Sequence, residues 1–566
     1  MKTTKNIARL AVTAGLTAAL SFGGVMAPVT MAFAEGTTTA NGSVTIANVE
    51  GNHTEFDGYQ IFKADVATVE GKTVVSNITW ANGSVKAAVE GVIKNEEPTY
   101  KGKTAQDAAD WITSKVTGTN DAYCVGPDNI AYKIAAAVDD LTDKKTTSAG
   151  VASGLEHGYW LFVTDAGTIG DGEAGTSPIF TVVGSTPVNV NEKTGIPTVE
   201  KKIVSDADDK EHDAADSQIG QDVTYNLYGT VAENFDKYDT YFYEFSDQIS
   251  KGLTLQTGAK IYLYKNRSDA KGDLTRAKGT DITAYFKEET PAEAAEDGSK
   301  TTTWTCDNLK KVSDVTKDSY IVVSYKAQIN KDAVVAGTEG NENAVTLNYS
   351  NNPMTSERGE TKPDTVKDYT YGLKINKVDL GTEAALDGAE FTIQATGADD
   401  GASKSLYVQK DGSLGSDPWK FVTANGGVIK VTGLDAGTYT VTEVSAPSGY
   451  AKVDPFTFEI KPSMNADDPG AGLTELTGVL TTGQNDKVIA GLTDGDSGDN
   501  KLTLKSGSEE TDGIFNITVG DTKQVGLPLT GLNGVTFTWI AGGAVLCIGV
   551  AHLIRSRKQA EESEQE

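Results

Sequence analysis

Cysteine is nearly missing from this chain: there are three in 566 residues, Cys124, Cys306 and Cys547. Cys547 falls in an apolar run, and the other two are far apart, so they read as two buried free thiols and not as a bridge. A fold framed by disulfides is thereby excluded, and a long secreted chain without them needs another source of toughness. Histidine is almost as scarce. His53, His157, His212 and His552 are scattered, and no Cys and His pair has the spacing of a metal site. No phosphate-cradling glycine loop occurs. The acidic loops "NADDPG" and "DGDSGDN" carry calcium-type oxygens but read as surface turns, so no metal is expected. Positive charge is also short: 50 Lys and Arg against 79 Asp and Glu give a formal net charge of −29. That balance argues against nucleic acid and against adsorption to anionic lipid, and it suits a solvated extracellular protein. No conventional active site emerges, so the chain reads as a non-enzyme without a cofactor.

Long apolar runs are missing except at the two ends. The start, "MKTTKNIARL", carries Lys2, Lys5 and Arg9. An apolar middle and small residues at Ala32 and Ala34 follow, which predicts a secretory signal over 1–34, cut after Ala34. Near the other end, "VTFTWIAGGAVLCIGVAHLI" (535–554) has no Asp, Glu, Lys or Arg. At about 1.5 Å per residue it spans a hydrocarbon core of roughly 30 Å. "RSRK" follows as a positive-inside stop, so a transmembrane helix is predicted that holds the precursor in the plasma membrane. Just before it lies "QVGLPLTGLNG", Gln524 to Gly534. Its proline resists both helix interior and central strand, so the run reads as an exposed, extended linker that another molecule recognises.

The part between the ends is too long for one core, and three domains of roughly 150 residues are the prior. Residues 35–190 mix alternating strands ("SVTIANV", "YQIFKADV", "GYWLFVTD", "SPIFTVVGS") with helical spacing over 104–116 and 129–142. Pro187, Gly195 and Pro197 punctuate a polar connector. Residues 191–370 and 371–526 then read as β throughout, with turn signals every several residues, as in a sandwich. The fold class expected is mainly β, three tandem β-sandwich domains, the first with added helices.

Three features together resemble the cell-wall sorting signal of Gram-positive surface proteins: "LPLTG", the apolar span and the basic tail, over 527–566. The resemblance implies that a sortase recognises Leu527, Pro528, Leu529, Thr530 and Gly531, cuts after Thr530 and holds that threonine as a thioester. "KINKVDLGTEAALDGAEFTI" with "GTYTVTEVSAPSGY" resembles a collagen-adhesin B-type domain. "TVEKKI", "FSDQISKGLTL" and "NAVTLNYSNNP" resemble the middle domain of backbone pilins, whose domains are immunoglobulin-like. Such domains carry an internal isopeptide bond between a lysine and an asparagine or aspartate, assisted by a carboxyl group. Carried over, the bonds are Lys374 to Asn516 with Glu443, and Lys201 to Asn351 with Asp247. Lys377, Lys202 and Asn352 are rivals; strand alternation puts each lysine and its rival on opposite faces. Desolvation lowers a lysine pKa by up to about 3–5 units, which frees its amine to attack. "NVNEKTG" resembles a variant of the pilin linking motif, with Lys193 as the amine that takes the previous subunit's Thr530.

The resemblance therefore implies a shaft subunit of a covalently polymerised, wall-anchored pilus. Its implied partners are pilin-specific and housekeeping sortases, identical subunits head to tail, minor tip or basal pilins, and peptidoglycan, with host ligands left open. The alternative is a monomeric wall-anchored adhesin that binds host matrix, or a minor or tip pilin.

Overall fold

The computed structural model describes residues 41–69, 72–115, 127–192, 194–335, 339–398, 405–468, 472–482, 488–489, 501–502 and 514–524. Ala34, Cys124, Lys193, the motif at 527–531 and the apolar run at 535–554 lie outside them. Among the described residues no helix is long and apolar enough to cross a membrane. Strands dominate, in several sheets, as the composition of turns and alternating runs predicts.

The N-terminal region packs three layers. Strands Lys72–Trp80, Phe56–Val69, Gly158–Thr164 and Ile179–Val183 form the central sheet, in that order. Helices Gly83–Glu96, Ala105–Lys115 and Ile130–Val138 cover one face. A small sheet of Val151–Leu155, Gly42–Ala47 and Val188–Asn191 covers the other. This explains why "GYWLFVT" is apolar at every position. Tyr159, Leu161 and Val163 point to the helices, whereas Trp160 and Phe162 point to the small sheet. The helix Gly83–Glu96 lay outside the two helical segments expected. Asn82 caps it, accepting from the Val85 N–H at 2.9 Å, and Val85, Val89 and Ile93 recur at the helical period on its buried side.

The middle region is a sandwich. One sheet runs Glu211–His212, Val199–Val204, Asp222–Thr230, Tyr320–Ile329, Lys260–Tyr264 and Thr280–Asp281. The other runs Ala214–Asp216, Asp364–Tyr369, Asn341–Ser350, Tyr243–Ile249, Lys300–Cys306 and Lys287–Glu289. Their inner faces share a core rich in tyrosine, with Cys306 buried in it as a free thiol. The C-terminal region repeats the plan. Its first strand, Tyr371–Asp379, lies parallel to the last described one, Ile514–Lys523, with Lys374 opposite Asn516. Val428–Leu434 flanks the first strand on its other side, and the facing sheet is built on Glu390–Ala398, Gly437–Ser445 and Phe456–Met464.

Candidate functional site: two buried lysines

In the middle region Lys201 and Ile203 share a strand parity, and both are fully buried. Lys201 Nζ reaches across the sandwich to the opposite sheet. There it contacts Asp247 Oδ1 in a short hydrogen bond, and within its own sheet it donates to Tyr325 Oη at 3.0 Å. The Tyr325 hydroxyl donates to Asp247 Oδ2 at 2.6 Å and accepts from Asn343 Nδ2 at 2.7 Å. Asn343 Oδ1 has no hydrogen-bond partner among the described residues. The rings of Tyr225 and Tyr325 lie within 6 Å of the lysine nitrogen and exclude water from it. Burial pulls the Lys201 pKa down to about 8, although Asp247 opposes the shift. Lys202 points the other way, to Asp213 at 2.6 Å on the partly exposed face.

Asn351, expected as the partner of Lys201, is not at this site. It sits beyond the strand end, where its carbonyl accepts from Gly175 N–H of the N-terminal region at 2.5 Å. Asn352 beside it makes an Asx turn, its Oδ1 accepting from Met354 N–H at 3.0 Å. Asn343 and Asn351 share a strand parity, so alternation does not separate them. Eight residues do, and at about 3.4 Å each that is roughly 27 Å.

The C-terminal region holds a second buried lysine, and it is Lys377, not Lys374. Lys377 Nζ contacts Asp521 Oδ1 in a short ion pair and lies 3.0 Å from Glu443 Oε1, with all three side chains fully buried. Val453 N–H donates to Glu443 Oε2 at 2.8 Å and fixes the carboxyl. Phe391 covers the amine, 5.4 Å from its ring centre. Burial raises the Asp521 carboxyl to about 6; Lys377 pulls it down and Glu443 pushes it up. Lys374 and Asn516 pair on the outer face, beside Lys430. The correction was readable in the sequence. Lys377 shares parity with Tyr371, Leu373 and Ile375, and Asp521 with Phe515, Ile517 and Val519, all buried. The resemblance fixed a residue type and a strand; the apolar face decides which residue on it turns inward.

The regions are joined by buried polar contacts. Between the second and third, Gln218 donates to Gly433 O at 2.7 Å and accepts from Asp435 N–H at 3.2 Å. Gly433, at φ +88°, lets Ile219 approach so closely that a Cβ would lie 2.1 Å from it. Beside this contact Asp368 is fully buried. Its Oδ2 accepts from Ser217 Oγ at 3.2 Å and Tyr225 Oη at 3.0 Å, while Oδ1 has no hydrogen-bond partner among the described residues. Burial first, then Asp216 and Asp206, push its pKa well above the carboxylate range; burial and the same two aspartates do so for Asp435. A carboxyl raised on folding contributes most below its unfolded pKa of about 4, and the folded state loses ground as pH rises from there, by up to about tenfold per unit per group. The melting temperature of the soluble chain is therefore expected to fall between pH 5 and pH 7. Asp368→Asn should raise it at pH 7 and flatten the slope. Equal melting curves for the two proteins at both pH values would refute this.

Residues flanking position 193 are held on both sides. Glu192 is buried and accepts from Asn52 Nδ2 at 2.6 Å and Val49 N–H at 3.2 Å; burial raises its pKa. Thr194 Oγ1 donates to Gly175 O at 2.9 Å.

Residues 219–353 match the family model described as Gram-positive pilin backbone subunit 2, Cna-B-like domain. That stretch is similar to a pilin backbone domain. Residues 371–468 match a second family model, described as SpaA, prealbumin-like fold domain. Comparison with curated protein sequences gives no match. Among solved structures the chain is similar to the T6 backbone pilin of serotype M6 Streptococcus pyogenes, at 16% identity and a TM-score of 0.48, over 85% of this chain and 98% of that one. It is similar to the full-length major pilin SpaD of Corynebacterium diphtheriae at 18% identity and a TM-score of 0.43, over 86% and 98%. A third is BcpA, the major pilin subunit of Bacillus cereus, at 14% identity and a TM-score of 0.37, over 85% and 98%.

Proposed function

We propose that the chain is the shaft subunit of a covalently polymerised surface pilus, toughened by two internal amide crosslinks. The observation that carries this is a lysine, fully buried against carboxyl groups, in each of the two pilin-type domains. A buried ion pair is weak evidence for stability in itself, because desolvation offsets its attraction. Its presence in the two domains favours a chemical role.

In the middle domain Lys201 and Asp247 exchange a proton to give amine and neutral acid. The amine attacks Cγ of Asn343, the Cγ–Nδ2 bond breaks, and ammonia leaves. In the C-terminal domain the Lys377 amine attacks Cγ of the neutral Asp521 acid. Glu443 supplies the proton with which the departing hydroxyl leaves as water and takes one back from Nζ, so it ends as it began. Each lysine is on the first strand of its domain. Lys377 is joined to the last described strand, so a pull between the two would run through covalent bonds.

Polymerisation uses the other two groups. Sortase cleavage after Thr530 gives a thioester, and Lys193 of the next subunit takes the threonine carboxyl. The neighbouring Glu192 and Thr194 are each hydrogen-bonded to the N-terminal region. Peptidoglycan, sortases and minor tip or basal pilins are the partners. Wall extracts should show a high-molecular-weight ladder that survives hot detergent and disappears in Lys193→Ala. A single wall-linked species in the unmodified strain would refute the pilus reading.

A further inference from the structure

We propose that Tyr325 is the proton relay of the middle-domain ligation, passing a proton from the Lys201 nitrogen to the departing nitrogen of Asn343. This rests on the reading of Lys201 and Asn343 as bond partners. Amide nitrogen is a poor leaving group until it is protonated, so the step needs a proton delivered at Nδ2 as well as one removed from Nζ. Tyr325 Oη contacts both atoms, at 2.7 Å and 3.0 Å, and also Asp247 Oδ2 at 2.6 Å. The Asp247 carboxyl is hydrogen-bonded to Lys201 and Tyr325, and the side-chain hydrogen bond of Asn343 goes to Tyr325.

The balance is as follows. Nζ attacks Cγ and becomes a cationic secondary nitrogen, while Oδ1 becomes an oxyanion and Nδ2 an amine with a free lone pair. Tyr325 gives its hydroxyl proton to Nδ2 and takes one from Nζ. The oxyanion re-forms the carbonyl and expels ammonia. Tyr325 ends as it began, and one amide bond replaces another. The ring is held for this by stacking on Tyr225, with centroids 5.5 Å apart, and by Trp304 at 5.3 Å. Burial and Asp247 push the phenol pKa well above its usual value, so the group stays neutral and keeps a proton to give. The C-terminal domain needs no such relay. Its leaving group is a hydroxyl, and Lys377 touches both carboxyl groups directly.

The test follows newly synthesised full-length chain by mass mapping of middle-domain peptides over time. Wild type is expected to lose about 17 Da there, and Tyr325→Phe to do so about 100-fold more slowly or not at all, the usual size of an acid–base contribution. Water loss in the C-terminal domain should be unchanged in the variant. Fluorotyrosine at position 325 keeps shape and hydroxyl but shifts its acidity, so its rate should differ from wild type; a purely structural role would leave that rate unmoved. If wild type shows no loss in the middle domain, the bond itself is refuted. If wild type reacts and Tyr325→Phe keeps pace, only the relay is. Should Tyr325→Phe misfold, an unchanged rate with fluorotyrosine overturns the relay.

Discussion

The soluble part of the native chain should weigh about 35 Da less than its sequence, about 17 Da from ammonia and about 18 Da from water. The asymmetry is the informative part. An asparagine partner in the C-terminal domain, as the family resemblance implied with Asn516, would give ammonia twice. The geometry pairs Lys377 with Asp521, so the C-terminal peptide should lose water. High-resolution mass mapping separates the two at once. The linked peptides should carry Lys201 with Asn343 and Lys377 with Asp521. Lys374→Ala and Asn351→Ala should leave the masses as they were, because neither side chain is at a buried lysine site. Lys377→Ala should restore the missing water. A chain at its plain sequence mass would overturn both crosslinks.

Removal of the C-terminal crosslink is expected to lower that domain's melting temperature by roughly 10–20 °C. The closed loop spans 144 residues. Chain entropy alone assigns a crosslink of that size about 5 kcal/mol, and each kcal/mol moves the midpoint by about 2–4 °C in a domain of this size. The choice of variant decides what is measured. Lys377→Ala deletes the bond and also strands two buried carboxyl groups, which costs about 3–5 kcal/mol in its own right. Glu443→Gln is cleaner. It removes the proton donor but leaves Lys377 facing Asp521, so the protein should regain its water mass and lose mainly the crosslink. Calorimetry of the two variants beside wild type separates the terms. Full sequence mass in Glu443→Gln with an unchanged melting temperature would mean that the bond adds nothing to stability. Protease resistance should follow the same order, since cleavage follows the population of opened chain when opening is fast.

Much of this architecture was legible before any coordinates. Alternation in "YGLKINKVD" and "GTYTVTEVS" marked strands, and apolar spacing marked the helices at Ala105–Lys115 and Ile130–Val138. The helix Gly83–Glu96 is marked more weakly, by Asn82 and the Val85, Val89, Ile93 spacing alone. Motif likeness alone points to Lys374, whereas it is Lys377 that shares the buried parity of Leu373 and Ile375.

The sequence by itself determined that the chain is acidic, almost without cysteine, and mainly β, with a lysine on the first strand of the second and third domains. It also determined which face of each strand is apolar, because a period of two is a local property. What only the tertiary structure decided is which groups meet. Asn343 and Asn351 have the same parity and the same chemistry, and only the tertiary packing brings the first to Tyr325, beside Lys201, and leaves the second at a domain joint. Tyr325 looks like any core aromatic along the chain. Its hydroxyl meets Lys201 of its own sheet and Asp247 and Asn343 of the facing one, and contacts between residues more than 100 positions apart are set by packing and not by pattern.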